Sequence, residues 1–351
     1  MTKRTRLFLV ISAAVLVLGV GTGALASYMG AGLQNITLFG SDGPAELAYV
    51  PQDAGLVAFA NVRDVMGSQL RQKLLEIRPD SADDRNEFET ETGIDIERDI
   101  DTVVAALGAG GTENRVLILA RGRFDQPRIE ALVQQRGGQV ETYNGRQVLT
   151  ITDDDHTMGL SFVEGDLVAF GSAADVRRAI DTKDTKAGTG GNITANDELM
   201  NLVRDIDDGN AWAVGRFDAI ASSGRIPQGV ASQLPPINWF AATGHINGGL
   251  EGLVRAEANT EQAAIDLREV IRGFMALARL QTRQNTELTA MLNSLQLGGE
   301  GKTVSLAFSV PPEMIDMLAA MRRAQADRPG RDGAPEPPES PAAPRPPVPG
   351  L

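Results

Sequence analysis

The stretch Arg115–Gly138, RVLILARGRFDQPRIEALVQQRGG, changes its period in the middle. From Val116 to Ala120 it is an unbroken apolar run, which reads as a mostly buried strand. After Asp125, Ile129, Leu132 and Val133 recur at helical spacing, Pro127 stands in the first turn, and Gly137-Gly138 end the helix. Asp125 falls at the junction, where a carboxylate accepts backbone N–H groups and suits the positive end of the helix dipole. The tetrapeptide GRFD returns at Gly215–Asp218 behind NAWAV, and NVRD closes at Asp64 behind GLVAFA. All three read as strand-to-helix punctuation with the Asp as N-cap. The sharper alternative, Arg123 and Arg216 facing a shared anion, is not demanded by the spacing. Ser172 (SAAD) and Asn259 (NTEQ) head stretches that resemble capping boxes.

Setting Asp64 against Asp218 aligns GLVAFANVRDVMGS (Gly55–Ser68) with GNAWAVGRFDAIAS (Gly209–Ser222) without a gap. Each half then runs through further strands and a helix and ends in a strand and a closing helix, DLVAFGSAADVRRAI and TVSLAFSVPPEMIDML. The pattern predicts an internal duplication: an α+β protein of two similar lobes, with mostly antiparallel sheets and helices packed on one face. Hairpin turns are expected at Asn144-Gly145, Glu164-Gly165 and Asn247-Gly248. The expected boundaries are 1–30 for a cytoplasmic stub and transmembrane anchor or signal peptide, 31–45 for a linker and 46–183 for the first lobe. A Gly-rich linker follows at 184–194, the second lobe at 195–326, and a Pro-rich tail at 327–351.

The N-terminus places Lys3, Arg4 and Arg6 before an apolar run from Leu7 to Ala26, with no further charge until Asp42. A run of about 20 apolar residues suits a membrane span, and the basic flank stays in the cytoplasm. The expectation is an uncleaved single-pass anchor; the alternative is cleavage after Ala26, where ALA offers the small residues a signal peptidase accepts. The tail carries nine of the chain's 18 prolines and almost no large apolar side chain, so it reads as a disordered or polyproline II region.

Composition narrows the function by exclusion. The formal net charge is −13, from 33 basic and 46 acidic residues, which is the wrong sign for a nucleic-acid footprint. The chain has no cysteine, so thiol nucleophiles, disulfides and thiolate metal sites are ruled out. With two histidines and no G-x-S-x-G, H-E-x-x-H or S-x-x-K pattern, no hydrolase signature is present. Asp153, Asp154, Asp155 and His156 form the one dense group of metal-ligating types, with His245 the other imidazole. A run of charges between two strands more commonly makes a solvated loop tip, and a zinc site would need ligands from elsewhere. DIDDGN from Asp205 fails as a calcium loop, because its glycine comes early and Arg216 stands where the last acidic ligand belongs. GAGG (Gly108–Gly111) and GTGG (Gly188–Gly191) lack the lysine of a phosphate loop. No cofactor is expected.

A long amphipathic helix is predicted from Glu261 to about Leu280, with Ala264, Leu267, Ile271, Phe274 and Ala278 as its core stripe. Arg268, Arg272, Arg279 and Arg283 align on another face as a candidate anion-binding or partner-docking surface, diluted by Asp266 and Glu269.

The stretches ELAYVPQDAGLVAFANVRDV, ETGIDIERDIDTVVAALG, GNAWAVGRFDAI and NSLQLGGEGKTVSLAFSVP resemble a group of exported bacterial proteins known as hypothetical proteins or through a domain of unknown function. The resemblance spans nearly the whole chain between anchor and tail and transfers no catalytic residue. It implies an exported bacterial protein; the basic flank and apolar run at the N-terminus make the expected location the inner membrane, with the N-terminus in the cytoplasm and the folded part in the periplasm, or, after cleavage, the periplasm as a secreted protein. The expected function is a membrane-tethered, non-enzymatic binding or scaffold protein with envelope protein partners. The alternatives are a metal-dependent hydrolase using Asp153–His156 and a carrier of an apolar small molecule.

Overall fold

The computed structural model describes residues 43–72, 89–90, 92–108, 115–153, 156–184, 191–206, 209–221, 233–247, 249–282, 292, 295–310 and 312. The N-terminal apolar run, the closing helix expected after Val310 and the Pro-rich tail lie outside these residues. Among the described residues no helix is long and apolar enough to cross a membrane.

A 3-10 turn at Ala45–Tyr49 leads into β1 (Ala54–Asn61) and α1 (Val62–Gly67). After α2 (Ile96–Asp99), the strands β2 (Ile100–Gly108) and β3 (Val116–Gly122) continue the meander. The chain then leaves through α3 (Gln126–Gln135), β4 (Gln139–Tyr143), β5 (Arg146–Asp153) and β6 (His156–Glu164). It returns beside β3 as β7 (Leu167–Ser172), followed by α4 (Ala173–Asp184). A second 3-10 turn (Ile193–Ala195) and α5 (Asp197–Asp205) lead to β8 (Ala211–Arg216) and α6 (Phe217–Ala221). The strands β9 (Ile237–Ile246) and β10 (Leu250–Ala258) form the next meander, and α7 (Glu261–Gln281) and β11 (Gln296–Gly298) carry the chain to β12 (Thr303–Val310), beside β10.

All twelve strands join one antiparallel sheet in the order β11-β12-β10-β9-β8-β1-β2-β3-β7-β6-β5-β4. The fold is therefore α+β around a large antiparallel sheet. The two halves of the chain meet where β1 pairs with β8, with Ala58 opposite Ala213 at the middle and the Phe59 and Trp212 rings stacked at 5.6 Å. The core ignores the expected boundary between lobes: Leu47 and Val57 share one cluster with Leu199, Met200, Val214 and Trp239. The end of the expected linker is tied down as well, since Gln52 N donates to Gly191 O and Ile193 N to Val50 O.

Because side chains alternate across a strand, the register assigns each residue a face. The row Ala169–Leu119–Val104–Phe59–Trp212–Thr243–Leu253–Ala307 lies on the front. The row Val103–Ala60–Ala211–Gly244–Gly252–Phe308 lies on the back. Gly252 leaves room there for the Phe308 ring, which a Cβ at that position would meet at 2.4 Å. Helices pack on both faces, not on one as expected. The front carries Leu47, α4 (Val176, Ala179, Ile180) and α5, while the back carries α1 through Val62 and Val65 and α7 through Ala263, Ala264 and Leu267. The reason lies in the strands: β1, β2, β3 and β7 bury apolar side chains on both sides, so each side needs a cover.

The junctions follow the expected chemistry with shifts of a residue or so. Asp125 caps α3, accepting from Arg128 N. Asp64 does not cap α1; Asn61 does, accepting from Asp64 N and donating to the Asp64 carboxylate at 2.7 Å. Asp218 lies inside the first turn of α6, where it pairs with Arg216 at 2.7 Å. Ser172 Oγ accepts from Asp175 N as the capping-box reading predicts, but at α7 the cap is Thr260 in place of Asn259. Asn144 and Gly145 take the positive φ of a tight hairpin, and the next turn falls at Gly165-Asp166.

The spacing of the two strand-to-helix junctions in the fold differs by one position from that of the ungapped alignment. The first helical residues of α1 and α6 are Val62 and Phe217, 217 − 62 = 155 apart, whereas matching Asp64 to Asp218 gives 218 − 64 = 154. A slip of one residue exchanges the faces of a strand. Matched at 154, Val57 on the front falls on Ala211 on the back; at 155 it falls on Trp212, which shares its face.

Candidate functional site

Two features stand apart from ordinary core and surface. The first is a charge network where the 3-10 turn meets the sheet. β3 ends by presenting Arg121 to the front, and its guanidinium donates to Glu46 at 2.6 Å, Asp166 at 2.7 Å and Glu164 at 3.0 Å. Glu46 is buried, and Thr102 Oγ1 donates to it at 3.4 Å. Tyr49 OH donates to Glu164 at 2.8 Å, Lys183 from the last turn of α4 pairs with Glu164, and its ammonium stands 4.5 Å from the Tyr49 ring centroid.

The electrostatics fix each group in one form. The Lys183 hydrogen bond is the largest effect on Glu164; burial opposes it, second in size, and with the Tyr49 and Arg121 donors added the carboxyl is held at about 2. The Lys183 ammonium is pushed up by its hydrogen bond to Glu164, and the Tyr49 phenol by burial. Glu164 is thus ionised and Lys183 protonated across the neutral range, the forms that hold an ion pair and the wrong ones for a general acid or a nucleophilic amine. The network fastens the entry segment to β3, the β6–β7 turn and α4. Sequence reasoning missed it because Glu46 and Glu164 stand 75 and 43 residues from Arg121, so no local spacing announces the contact.

The second feature is α7. Five large apolar side chains are exposed among the described residues, and four of them, Ile265, Phe274, Leu277 and Leu280, are on this one helix. Its N-terminal half docks on β10 and β12 through Ala263, Ala264, Leu267 and Ile271. Arg268 fastens that half by donating to Gly301 O at 3.2 Å and Thr303 O at 2.9 Å. From Phe274 onward the helix exposes its apolar residues: Phe274 is 42% exposed, Leu277 56% and Leu280 54%. Phe274 was expected in the core stripe and is a correction. The 3.6-residue period continues along the helix, but the sheet-facing contacts end near Ile271.

The residues singled out from sequence are placed as follows. Arg268 binds the β11–β12 turn and Arg279 donates to Leu292 O at 3.2 Å, so these two serve the helix's own seating. Arg272 is exposed, and Arg283 lies outside the described residues. Asp154 and Asp155 also lie outside them; Asp153 and His156 are backbone partners at the β5–β6 end, and their side chains are not described. His245 is on β9 opposite Glu251. The sheet order puts six strand steps between β9 and β6, about 29 Å at ~4.8 Å per step. Zinc bonds near 2 Å do not bring those two imidazoles onto one ion. Arg123 reaches Asp101 at 3.6 Å and Arg216 pairs with Asp218, so neither waits on a shared anion. Among the described residues no group of three or more metal-ligating side chains gathers.

No family model matches the chain, and no curated protein matches it. Among solved structures, one described as crystal form I of TP0453 has 11% identity and a TM-score of 0.43, covering 79% of this chain and 97% of its own. A second, described as crystal form IV of TP0453, has 9% identity and a TM-score of 0.43, covering 78% of this chain and 96% of its own. At that level the likeness identifies neither the fold nor the function of this chain.

Proposed function

We propose that this is a membrane-tethered, non-enzymatic binding or scaffold protein of the bacterial envelope, which docks an envelope protein through the exposed half of α7. The observation that carries the reading is the concentration of exposed large apolar side chains on that helix. Scattered singly, such residues need no explanation, but a contiguous group marks an interaction surface. The apolar run Leu7–Ala26 supports the tether, and the basic Lys3, Arg4 and Arg6 support an N-terminus in the cytoplasm.

An internal duplication accounts for the architecture. Its support is the matched path of the two halves: a three-stranded meander, an excursion, and a return strand beside the third strand, in β1-β2-β3-β7 and again in β8-β9-β10-β12. Helices follow the first strand and the third strand of each path. Two copies joined edge to edge through β1 and β8 make one sheet about 53 Å wide, a broad scaffold for one docking helix.

The test is the mass and N-terminal residue of the protein in separated membrane and soluble envelope fractions, followed by chemical crosslinking in the membrane. The expected result is an intact N-terminus in the membrane fraction and a discrete crosslinked neighbour. A terminus at Ser27 in the soluble fraction, with no neighbour captured, overturns it.

A further inference from the structure

The charges of α7 are divided along its length. Its first half holds Glu261, Asp266 and Glu269, with Arg268 turned back to Gly301 O and Thr303 O. From Val270 to Gln281 the charged residues are Arg272 and Arg279, both basic. A helix acidic at one end and basic at the other matches a second copy of itself when the two run antiparallel; running in the same direction, like charges meet.

The exposed side chains turn this into a register. Ile265, Glu269, Arg272 and Ala276 fall at i, i+4, i+7 and i+11, one row along the helix, and all four are exposed. In reverse the row runs Ala, Arg, Glu, Ile. An antiparallel partner centred between Val270 and Ile271 therefore sets Glu269 against Arg272 twice and Ile265 against Ala276 twice, acid on base and large on small. In the same register Glu261 comes within a turn of the partner's Arg279. Asp266, which accepts from Gln262 at 2.8 Å, comes within a turn of the partner's Arg272. A Cβ at Gly273 would meet nothing within 4 Å, so the backbone beside the centre is open to close approach. The exposed Leu277 and Leu280 fall over the partner's first two turns, where Ile265 is the exposed large apolar side chain. Such a contact uses one patch twice and closes at a dimer.

We propose that a second copy of this chain docks on α7, the two helices antiparallel about a two-fold axis between Val270 and Ile271. The inference rests on the reading of α7 as the docking surface and names the partner.

The full chain has no cysteine, so the register can be read directly. Two differently tagged full-length copies, one with Ile265→Cys and one with Ala276→Cys, are expressed together and the membranes are oxidised. Two copies of position 265, or of position 276, lie 276 − 265 = 11 residues apart along the pair. That is about 16 Å at ~1.5 Å per residue, beyond the ~7 Å Cα separation that a disulfide bridges. The expected result is a mixed disulfide between positions 265 and 276, at least fivefold above either like-with-like product. Like-with-like products in excess, or none of either kind, overturn the pairing. Glu269→Arg in both copies should lower the mixed product at least fivefold, and Arg272→Glu added to it should restore the product; no restoration also overturns the register. A photoreactive side chain at Leu277 separates the two claims. An adduct with a different envelope protein and no mixed disulfide refutes self-docking and leaves the docking surface standing. A mixed disulfide with no adduct from position 277 keeps the pairing and refutes the exposed apolar half as a docking surface.

Discussion

The two halves of the sheet follow the same path, and they differ in what their third and fourth strands present to the front. In the first half the row Phe59–Val104–Leu119–Ala169 is buried beneath α4 and the entry segment. In the second, Val214–Ala241 continues into Arg255 and Ser305, with Glu251, Arg255 and Glu257 exposed. The back faces differ less, since α1 covers apolar residues of the first half and α7 those of the second. The difference teaches that strand order alone does not fix which face is covered; the side chains of the third and fourth strands decide it. A face of Leu and Ala draws a helix, whereas one of Arg, Glu and Ser pays no penalty in water.

The most severe way to break the comparison is to give the first half the chemistry of the second. Leu119→Arg puts a charge at the fully buried position that matches Arg255, and should cost more than about 4 kcal/mol. Urea unfolding measures it, and a loss below about 1 kcal/mol would show that the front of the first half is not sealed. Next in size is Arg121→Met. It leaves the buried Glu46 carboxylate without its guanidinium, and the expected loss is about 3 kcal/mol by the same measurement. An unchanged midpoint would mean that the network does not fasten the entry segment.

Glu164→Gln should have a smaller effect with a distinctive pH signature. The folded-state carboxyl sits at about 2, below its ordinary 4.5, so its stabilisation is present in full above about 4.5 and disappears as the pH falls through about 2. After solvent screening this amounts to about 1 kcal/mol. Urea midpoints at pH 6 and pH 2.5 should therefore differ less in the variant than in the parent. Equal differences in the two proteins would contradict the assignment. The smallest effect is expected from Arg255→Leu, which gives the second half the chemistry of the first at an exposed position and removes a hydrogen bond of 3.4 Å to Asp205 O at the end of α5. Its stability should stay within about 0.5 kcal/mol of the parent, and a gain above 1 kcal/mol would reveal a cover on that face.

Much of this was legible in the sequence, residue by residue. The period change at Asp125, the turn at Asn144-Gly145 and the extent of α7 are local signals, and the structure carries them within a residue. The one-sided character of β10 is also local, since Arg255 and Glu257 alternate with Val254 and Ala256. The register between the halves was not legible. LVAFAN and AWAVGR are apolar on both sides, so a slip from 155 to 154 exchanges one apolar side chain for another and leaves no trace in the pattern. The exposure of Phe274 was hidden for a different reason: a helical stripe shows that a face is apolar and does not show where its partner stops. The Arg121 network depends wholly on strand pairing, which brings together groups 43 to 75 residues apart.

The most direct test of the functional account compares the two exposed surfaces of the second half in the living envelope. A photoreactive side chain is placed at Leu277 on α7 or at the exposed Arg255 on the front face, in the full chain, and the membranes are irradiated. The account predicts a discrete adduct with an envelope protein from position 277 and none from position 255. An adduct from 255 with none from 277 would assign recognition to the polar sheet face, and would contradict the central claim that the exposed half of α7 is the docking surface.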